Sequence, residues 1–120
     1  MNKKTVVLGA SPNPSRYSYL AVNRLNAHGH QVIPIGRRKG KINDSEIITA
    51  PVRTDDVDTV TLYLNAQNQK NYYDYILELH PKRIIFNPGA ENDELAALAV
   101  KNNIKPIQAC TLVLLSTNQY

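Results

Sequence analysis

Short, near-continuous runs of β-branched and apolar residues alternate along this chain with amphipathic segments, and that alternation leaves few folds open. Thr5-Val6-Val7-Leu8 ends at Gly9, and Gln31-Val32-Ile33-Pro34-Ile35 ends at Gly36. Thr59–Tyr63, Arg83–Asn87 and Ile104–Ile107 have the same character. Strands that lack polar alternation are covered on both faces, which is the habit of parallel sheets.

The segments between them carry helical stripes. From about Ser15 to His28, the residues Ser18, Ala21, Val22 and Leu25 fall at i, i+3, i+4 and i+7, and Gly29 supplies a stop. From Gln67 to Leu79 the stripe is Tyr72, Tyr75, Ile76 and Leu79, with Pro81 shortly after. In the third segment Asn92 is placed to cap. Asp93 and Glu94 put negative charge in the first turn, Leu95, Leu98 and Ala99 form the stripe, and Lys101 sits near the C-terminus. Strand–helix alternation at intervals of roughly 20–30 residues reads as βαβ units with right-handed crossovers. The expected fold is α/β: a three-layer, doubly wound parallel sheet of Rossmann-like type, as one domain over residues 1–120.

Arg37 to Asp58 breaks the pattern. It reads as a loop, a short edge strand around Glu46-Ile47-Ile48, and a further connection with a helical turn near Thr54 to Val57. Pro106 cannot donate to an interior ladder and places the last strand at an edge. Cys110 to Thr117 reads as a last helix or an apolar extension.

The 120 residues suit one domain. No apolar run approaches the ~18 residues a membrane span needs. Lys3-Lys4 precedes only Val6-Val7-Leu8, too short for a signal-peptide core, and a buried strand accounts for it. Cys110 is the only cysteine, which excludes a disulfide framework and a cysteine-based zinc site and points to a reducing cytoplasm. The net charge is +4, and its densest part is Arg37-Arg38-Lys39-Gly40-Lys41. That charge is modest, and no aromatic residues interleave with the cluster, so neither nucleic acid nor a membrane is the expected partner.

Ligands of doubly wound sheets bind at the carboxyl ends of the strands, next to the first strand, where strand order reverses. Gly9-Ala10-Ser11-Pro12 stands there, followed by Arg16 and Ser18 in the first helical turn. A tight turn, a hydroxyl and the positive end of a helix make a phosphate site. The second and third glycines of Gly-x-Gly-x-x-Gly are missing, and no Gly-Lys-Ser/Thr follows, so neither the dinucleotide fingerprint nor the P-loop is present. In the alternative reading, Ser11 and Ser15 only cap the helix.

After the second strand an NAD site needs an acidic residue for the ribose hydroxyls. Here Gly36, Arg37, Arg38 and Lys39 follow, and no carboxylate comes before Asp44. Cations there favour a phosphorylated ribose, as in NADP or coenzyme A, with a solvated basic loop as the alternative. Tyr63-Leu64-Asn65 and Asn87-Pro88-Gly89-Ala90 end beside the first turn. Asn87 and Gly89 are candidate ligand contacts, and Asn65 is read first as a helix cap.

No nucleophile, base and orienting group can be assembled at any spacing. His28, His30 and His80 read as surface or helix-end residues, Asp55, Asp56 and Asp58 as a solvated run, and Cys110 as a small buried apolar residue. No catalytic and no metal-binding residue is assigned.

Gly-Ala-Ser-Pro-x-Pro-x-Arg-x-Ser after the first strand resembles the small stand-alone CoA-binding proteins, whose domain is like the N-terminal CoA-binding domain of the succinyl-CoA synthetase alpha subunit. The resemblance extends over His-Gly-His-Gln-Val-Ile-Pro-Ile, Val-Asp-Thr-Val-Thr-Leu-Tyr and Asn-Pro-Gly-Ala, essentially the whole chain. It implies CoA phosphates at Gly9, Ala10, Ser11, Pro12 and Arg16, with Ser18 beside them. Gly36, Arg37 and the following basic residues, Lys39 included, match the region that meets the adenosine end, and Tyr63 and Leu64 would line the cleft. Arg37 to Ile42 replaces the family's usual asparagine-proline loop and glycine-rich segment. The synthetase's second domain and phosphorylated histidine have no counterpart, so ligase activity is not implied. The expected function is binding of coenzyme A or an acyl-CoA as a non-catalytic or accessory module, with a homodimer or an enzyme partner left open. The alternative is an NADP- or NAD-binding oxidoreductase or redox sensor.

Overall fold

A computed structural model describes residues 2–120. In chain order its elements are β1 (Thr5–Leu8), α1 (Tyr17–Ala27), β2 (Val32–Ile35), β3 (Lys41–Ile42), β4 (Ser45–Glu46), β5 (Thr59–Leu62), α2 (Ala66–Gln69), a 3-10 turn (Lys70–Tyr72), α3 (Tyr73–Leu79), β6 (Arg83–Phe86), α4 (Asp93–Lys101), β7 (Lys105–Gln108) and α5 (Thr111–Ser116). Five strands form one parallel sheet in the order β2-β1-β5-β6-β7, and β3 pairs with β4 in a separate antiparallel ribbon. The register is level: Thr5 lies opposite both Val32 and Thr59, Thr59 opposite Arg83, and Arg83 opposite Lys105. All five strands therefore end together, and their following loops emerge along one edge.

Side-chain alternation along the strands gives the two faces different chemistry. Val6, Leu8, Val60, Leu62, Ile84 and Phe86 face a wholly apolar layer with Ile76 of α3 and Leu95 and Ala99 of α4. On the other face Val7 packs with Val22 and Leu25 of α1 and Leu115 of α5. Its central positions, Thr5, Thr59 and Thr61, are polar and fully buried. They are satisfied internally: the Thr61 and Thr111 hydroxyls are 2.7 Å apart, which ties β5 to α5. Helices on both sides of the sheet make the three-layer, doubly wound Rossmann-like architecture.

Several segments differ from the sequence reading. Residues 54–57 form no helical turn: Asp56 has φ +59°, which a right-handed helix cannot contain. The segment read as one helix from Gln67 to Leu79 is broken into α2, the 3-10 turn and α3, and His80 closes it in the left-handed conformation. The edge strand expected around Glu46-Ile47-Ile48 is split: Glu46 lies in β4, paired antiparallel with β3, and Ile48 makes a single parallel bridge to Ile35, in which Ile48 N–H donates to the Pro34 carbonyl at 2.9 Å. The last segment is the helix α5, and Pro106 lies in β7, which pairs only with β6.

Candidate functional site

The sheet places the strands in the chain order second, first, third, fourth, fifth. The connections leaving β1 and β5 pass to opposite faces, and a crevice opens between their carboxyl ends. The turn after β1 is wedged into that crevice. Gly9 N–H and Ala10 N–H both donate to the Ile35 carbonyl at 2.9 Å, and Tyr63 N–H donates to the Leu8 carbonyl at 2.8 Å. Gly9 has φ +94°, and a Cβ there would lie 2.8 Å from the Tyr63 carbonyl oxygen. A Cβ on Gly36 would overlap the Ala10 carbonyl oxygen. Only glycine fits at either place.

Three helices start at this edge from the loops after β1, β5 and β6, and they differ at their N-termini. The Asn65 side chain caps α2 by accepting from Asn68 N–H at 2.9 Å, and Asn92 caps α4 by accepting from Leu95 N–H at 3.2 Å. α1 begins after Arg16, in extended conformation, with no side-chain cap. Ser11 Oγ accepts from Asn13 N–H at 3.1 Å, while Ser15 donates its hydroxyl to Asn13 Oδ1 at 2.8 Å. Those serines fold the turn on itself and do not cap α1. The Tyr17 and Ser18 N–H groups at the start of α1 have no partner among the described residues and are left for another acceptor, with the positive end of the helix dipole behind them.

A cleft of about 840 Å³ lies over this edge. From the first turn and α1 it is lined by Gly9, Ala10, Ser11, Pro12, Arg16 and Ser18; from the loop after β2 by Gly36 and Arg37; and from the ends of β5 and β6 by Tyr63, Leu64 and Gly89. Two expected contacts are not brought there. Lys39 lies farther along the basic loop, away from the cleft wall. Asn87 is buried: its Nδ2 donates to Thr61 Oγ1 at 2.7 Å and to the Leu62 carbonyl at 2.8 Å, and its Oδ1 accepts from Thr111 N–H at 2.8 Å. With its polar atoms spent inside the protein, Asn87 acts as a strut between β5, β6 and α5.

The cleft also takes in Arg38 of the basic loop, and it gathers residues that the strand-end reading did not reach, among them Tyr17, Pro51, Asn68, Asn71 and Tyr72. A legible signal existed for part of this set. Asn65, Asn68 and Asn71 recur every third residue, an amide stripe on one side of a helical segment.

Among the described residues Arg16, Arg37 and Arg38 supply the only formal charges on the cleft wall, and no carboxylate, histidine or cysteine lines it. The Tyr63 hydroxyl is buried, and burial pushes its pKa far up, so the phenol stays protonated. The histidines lie elsewhere. His28 ends α1 and His80 ends α3. His30 Nδ1 accepts from Lys3 N–H at 2.9 Å, with its ring 4.9 Å from that of Tyr120. Cys110 stands at the start of α5, outside the cleft wall. Asp58 faces Lys82 and Arg83, each at 3.9 Å. Among the described residues no group of three or more potential ligands is placed to hold a metal ion, and no helix is long and apolar enough to cross a membrane.

The family model described as CoA binding domain matches residues 3–116. No curated protein matches the chain. Among solved structures, the crystal structure of an uncharacterized protein is 52% identical, with TM-score 0.97 over 100% of this chain and 99% of that one. A hypothetical protein from Pyrococcus horikoshii OT3 is 20% identical, with TM-score 0.84 over 92% of this chain and 80% of that one. The dinucleotide forming acetyl-coenzyme A synthetase 1 of Ca. Korarchaeum cryptofilum, in complex with phosphate and ADP, is 18% identical, with TM-score 0.72 over 89% of this chain and 26% of its own. The last two likenesses are of fold.

Proposed function

Because this chain belongs to the CoA-binding domain family, we propose that its cleft holds coenzyme A or an acyl-CoA and that residues 1–120 act as a single binding domain without chemistry of their own. The observation that carries the reading is the charge pattern of the cleft: three arginines, no carboxylate, and an uncapped helix N-terminus at the strand-order reversal. That arrangement accepts a polyanion, because free N–H groups and guanidinium groups converge where no side chain competes for them. The pyrophosphate lies on Gly9, Ala10, Ser11 and Pro12 against the start of α1, with Arg16 and Ser18 beside it. Gly36, Arg37 and Arg38 meet the phosphorylated ribose, and Tyr63, Leu64 and Gly89 form the opposite wall. A volume of about 840 Å³ falls within the ~300–1,000 Å³ typical of ligand pockets.

The accessory role is supported by what the wall contains. Its hydroxyls have no base beside them, and its one buried phenol is held protonated. A holder of this kind works with a consumer, either a partner enzyme or a second copy of the chain. The lone cysteine fits a cytoplasmic home. An NAD-dependent reading is disfavoured, since no acid stands at the end of β2 to take the ribose hydroxyls.

Titration calorimetry with CoA, acetyl-CoA and dephospho-CoA tests the proposal. CoA is expected to bind more tightly than dephospho-CoA. Absence of CoA binding at submillimolar ligand overturns the reading, and equal affinity for dephospho-CoA removes the role given to Arg37 and Arg38. Protection from thermal unfolding by NADPH but not by CoA would replace it, since a ligand that binds only the native state must raise its stability.

A further inference from the structure

The wall of the cleft is chemically two-sided. Arg37 and Arg38 follow β2, on one flank of the first turn, while Asn65, Asn68, Asn71 and Tyr72 follow β5, on the other. With Pro88, Gly89 and Ala90 after β6, the cleft crosses the ends of four adjacent strands, roughly 14 Å at ordinary strand spacing. One flank is cationic. The other has amide and aromatic groups and no formal charge.

The amides on that second flank divide by whether they are already used. Asn65 caps α2. Gln69 is buried: its Nε2 donates to the Leu64 and Ala90 carbonyls at 2.8 Å each, and its Oε1 accepts from Asn92 Nδ2 at 2.8 Å. These bonds pin α2 and the 3-10 turn to the ends of β5 and β6, which explains the break in the helical segment. Asn68 and Asn71 lie on the same pinned segment and line the cleft, and their side chains have no hydrogen-bond partner among the described residues. Each offers two donors and an acceptor. A ligand group that matches them is neutral and both donates and accepts.

We propose that Asn68 and Asn71 form the subsite for the amide-bearing pantetheine arm of CoA, so that the arm runs from the first turn toward Tyr72 and Pro51. The inference rests on the CoA reading above. Coenzyme A is itself two-sided: phosphates crowd its nucleotide end, and the rest is an uncharged chain with two secondary amides. Once the phosphates occupy the arginine flank and the turn, the arm has only the amide flank to cross. A secondary amide and an asparagine side chain pair donor to acceptor, and the pinned segment presents both asparagines with little further ordering.

Calorimetry with two probes tests this: CoA, and adenosine 3′,5′-bisphosphate, which keeps the nucleotide end and lacks the arm. Asn68→Ala and Asn71→Ala are each expected to weaken CoA by about three- to tenfold and to leave the bisphosphate unchanged. The near-isosteric and neutral Asn71→Leu and Asn68→Leu, which keep the size of the side chain and lose its donors and acceptor without adding charge, are expected to give the same split. Equal losses for both probes, or no loss for CoA, overturn the subsite. If wild-type protein binds neither probe, the CoA reading itself fails and the subsite with it; if it binds both and the variants do not separate them, the subsite alone fails.

Discussion

At the amino ends of the strands Lys3, Lys4, Lys82 and Arg83 have partners within the protein. Lys82 and Arg83 flank Asp58, and Arg83 Nε also donates to Thr59 Oγ1 at 2.8 Å while its guanidinium lies 4.4 Å from the centre of the Tyr120 ring. Lys3 Nζ donates to the Tyr120 carbonyl and Lys4 Nζ to the Asp55 carbonyl, both at 2.6 Å. At the carboxyl ends Arg16, Arg37 and Arg38 line the cleft, and none forms an ion pair among the described residues. The contrast lies in partners, since both ends carry positive charge. A cation that already holds a carboxylate or carbonyl stabilises the fold. One kept beside free helix N–H groups with no acid near it is available to an incoming anion.

The largest disruption comes from the turn that builds the open end. Gly9→Val puts a branched side chain at φ +94° against the Tyr63 carbonyl. A stability loss of about 3 kcal/mol is expected in chemical denaturation, together with loss of ligand binding. A loss under about 1 kcal/mol would mean the turn is looser than its hydrogen bonds indicate.

Next comes a crossed pair of variants. Replacing Arg37 and Arg38 with glutamine is expected to lower CoA affinity at least tenfold, because hydrogen bonds to charged groups contribute about 1.5–3 kcal/mol each, and to leave the unfolding midpoint in place. Arg83→Met should do the reverse, costing about 1–2 kcal/mol of stability through the lost Thr59 bond and ring contact with CoA affinity unchanged. The contrast between the two ends breaks if Arg83→Met weakens the ligand or the arginine pair proves necessary for folding.

A smaller effect tests the uncapped helix. Arg16→Asp gives α1 the cap it lacks. It is expected to raise stability by about 1 kcal/mol and to weaken CoA, because the carboxylate takes the N–H groups and repels the phosphates. Equal or tighter binding would show that the start of α1 is not the anion's seat.

The smallest effect belongs to the amino end. Burial, and after it the neighbouring cations, lower the pKa of His30 below its ordinary 6.5. The folded protein therefore holds fewer protons at this site than the unfolded chain. The stability it lends is present above pH 6.5 and falls as pH drops toward the lower folded value. His30→Asn, with an oxygen to accept from Lys3 N–H, should flatten that part of a thermal-unfolding pH profile while leaving CoA binding untouched.

Much of this was legible in local sequence. The β-branched runs, the glycine stops after β1 and β2, Pro106 on an edge strand and the caps Asn65 and Asn92 all depend on residues a few positions apart. The asparagine stripe through Asn68 and Asn71 was equally visible. Its meaning was not, because position alone does not say which amides the fold consumes. Asn87 shows the same limit from the other side. At a strand end it reads as a ligand contact, yet its partners are Thr61 and Thr111, 26 and 24 residues away.

By itself, then, the sequence determined the alternation of elements, the parallel α/β sheet, and the place of the turn at the end of β1, since periodicity and glycine conformation act within a few residues. Tertiary structure decided which polar groups face the cleft unpaired. Ser11 and Ser15 turned to Asn13 and left α1 uncapped; Gln69 was drawn inward and left Asn68 and Asn71 outside; and Lys3, Lys4, Lys82 and Arg83 found partners at one end of the sheet, while Arg16, Arg37 and Arg38 at the other form no ion pair among the described residues. A hydrogen bond is spent or free according to what packs against it, and those neighbours arrive only when distant segments meet.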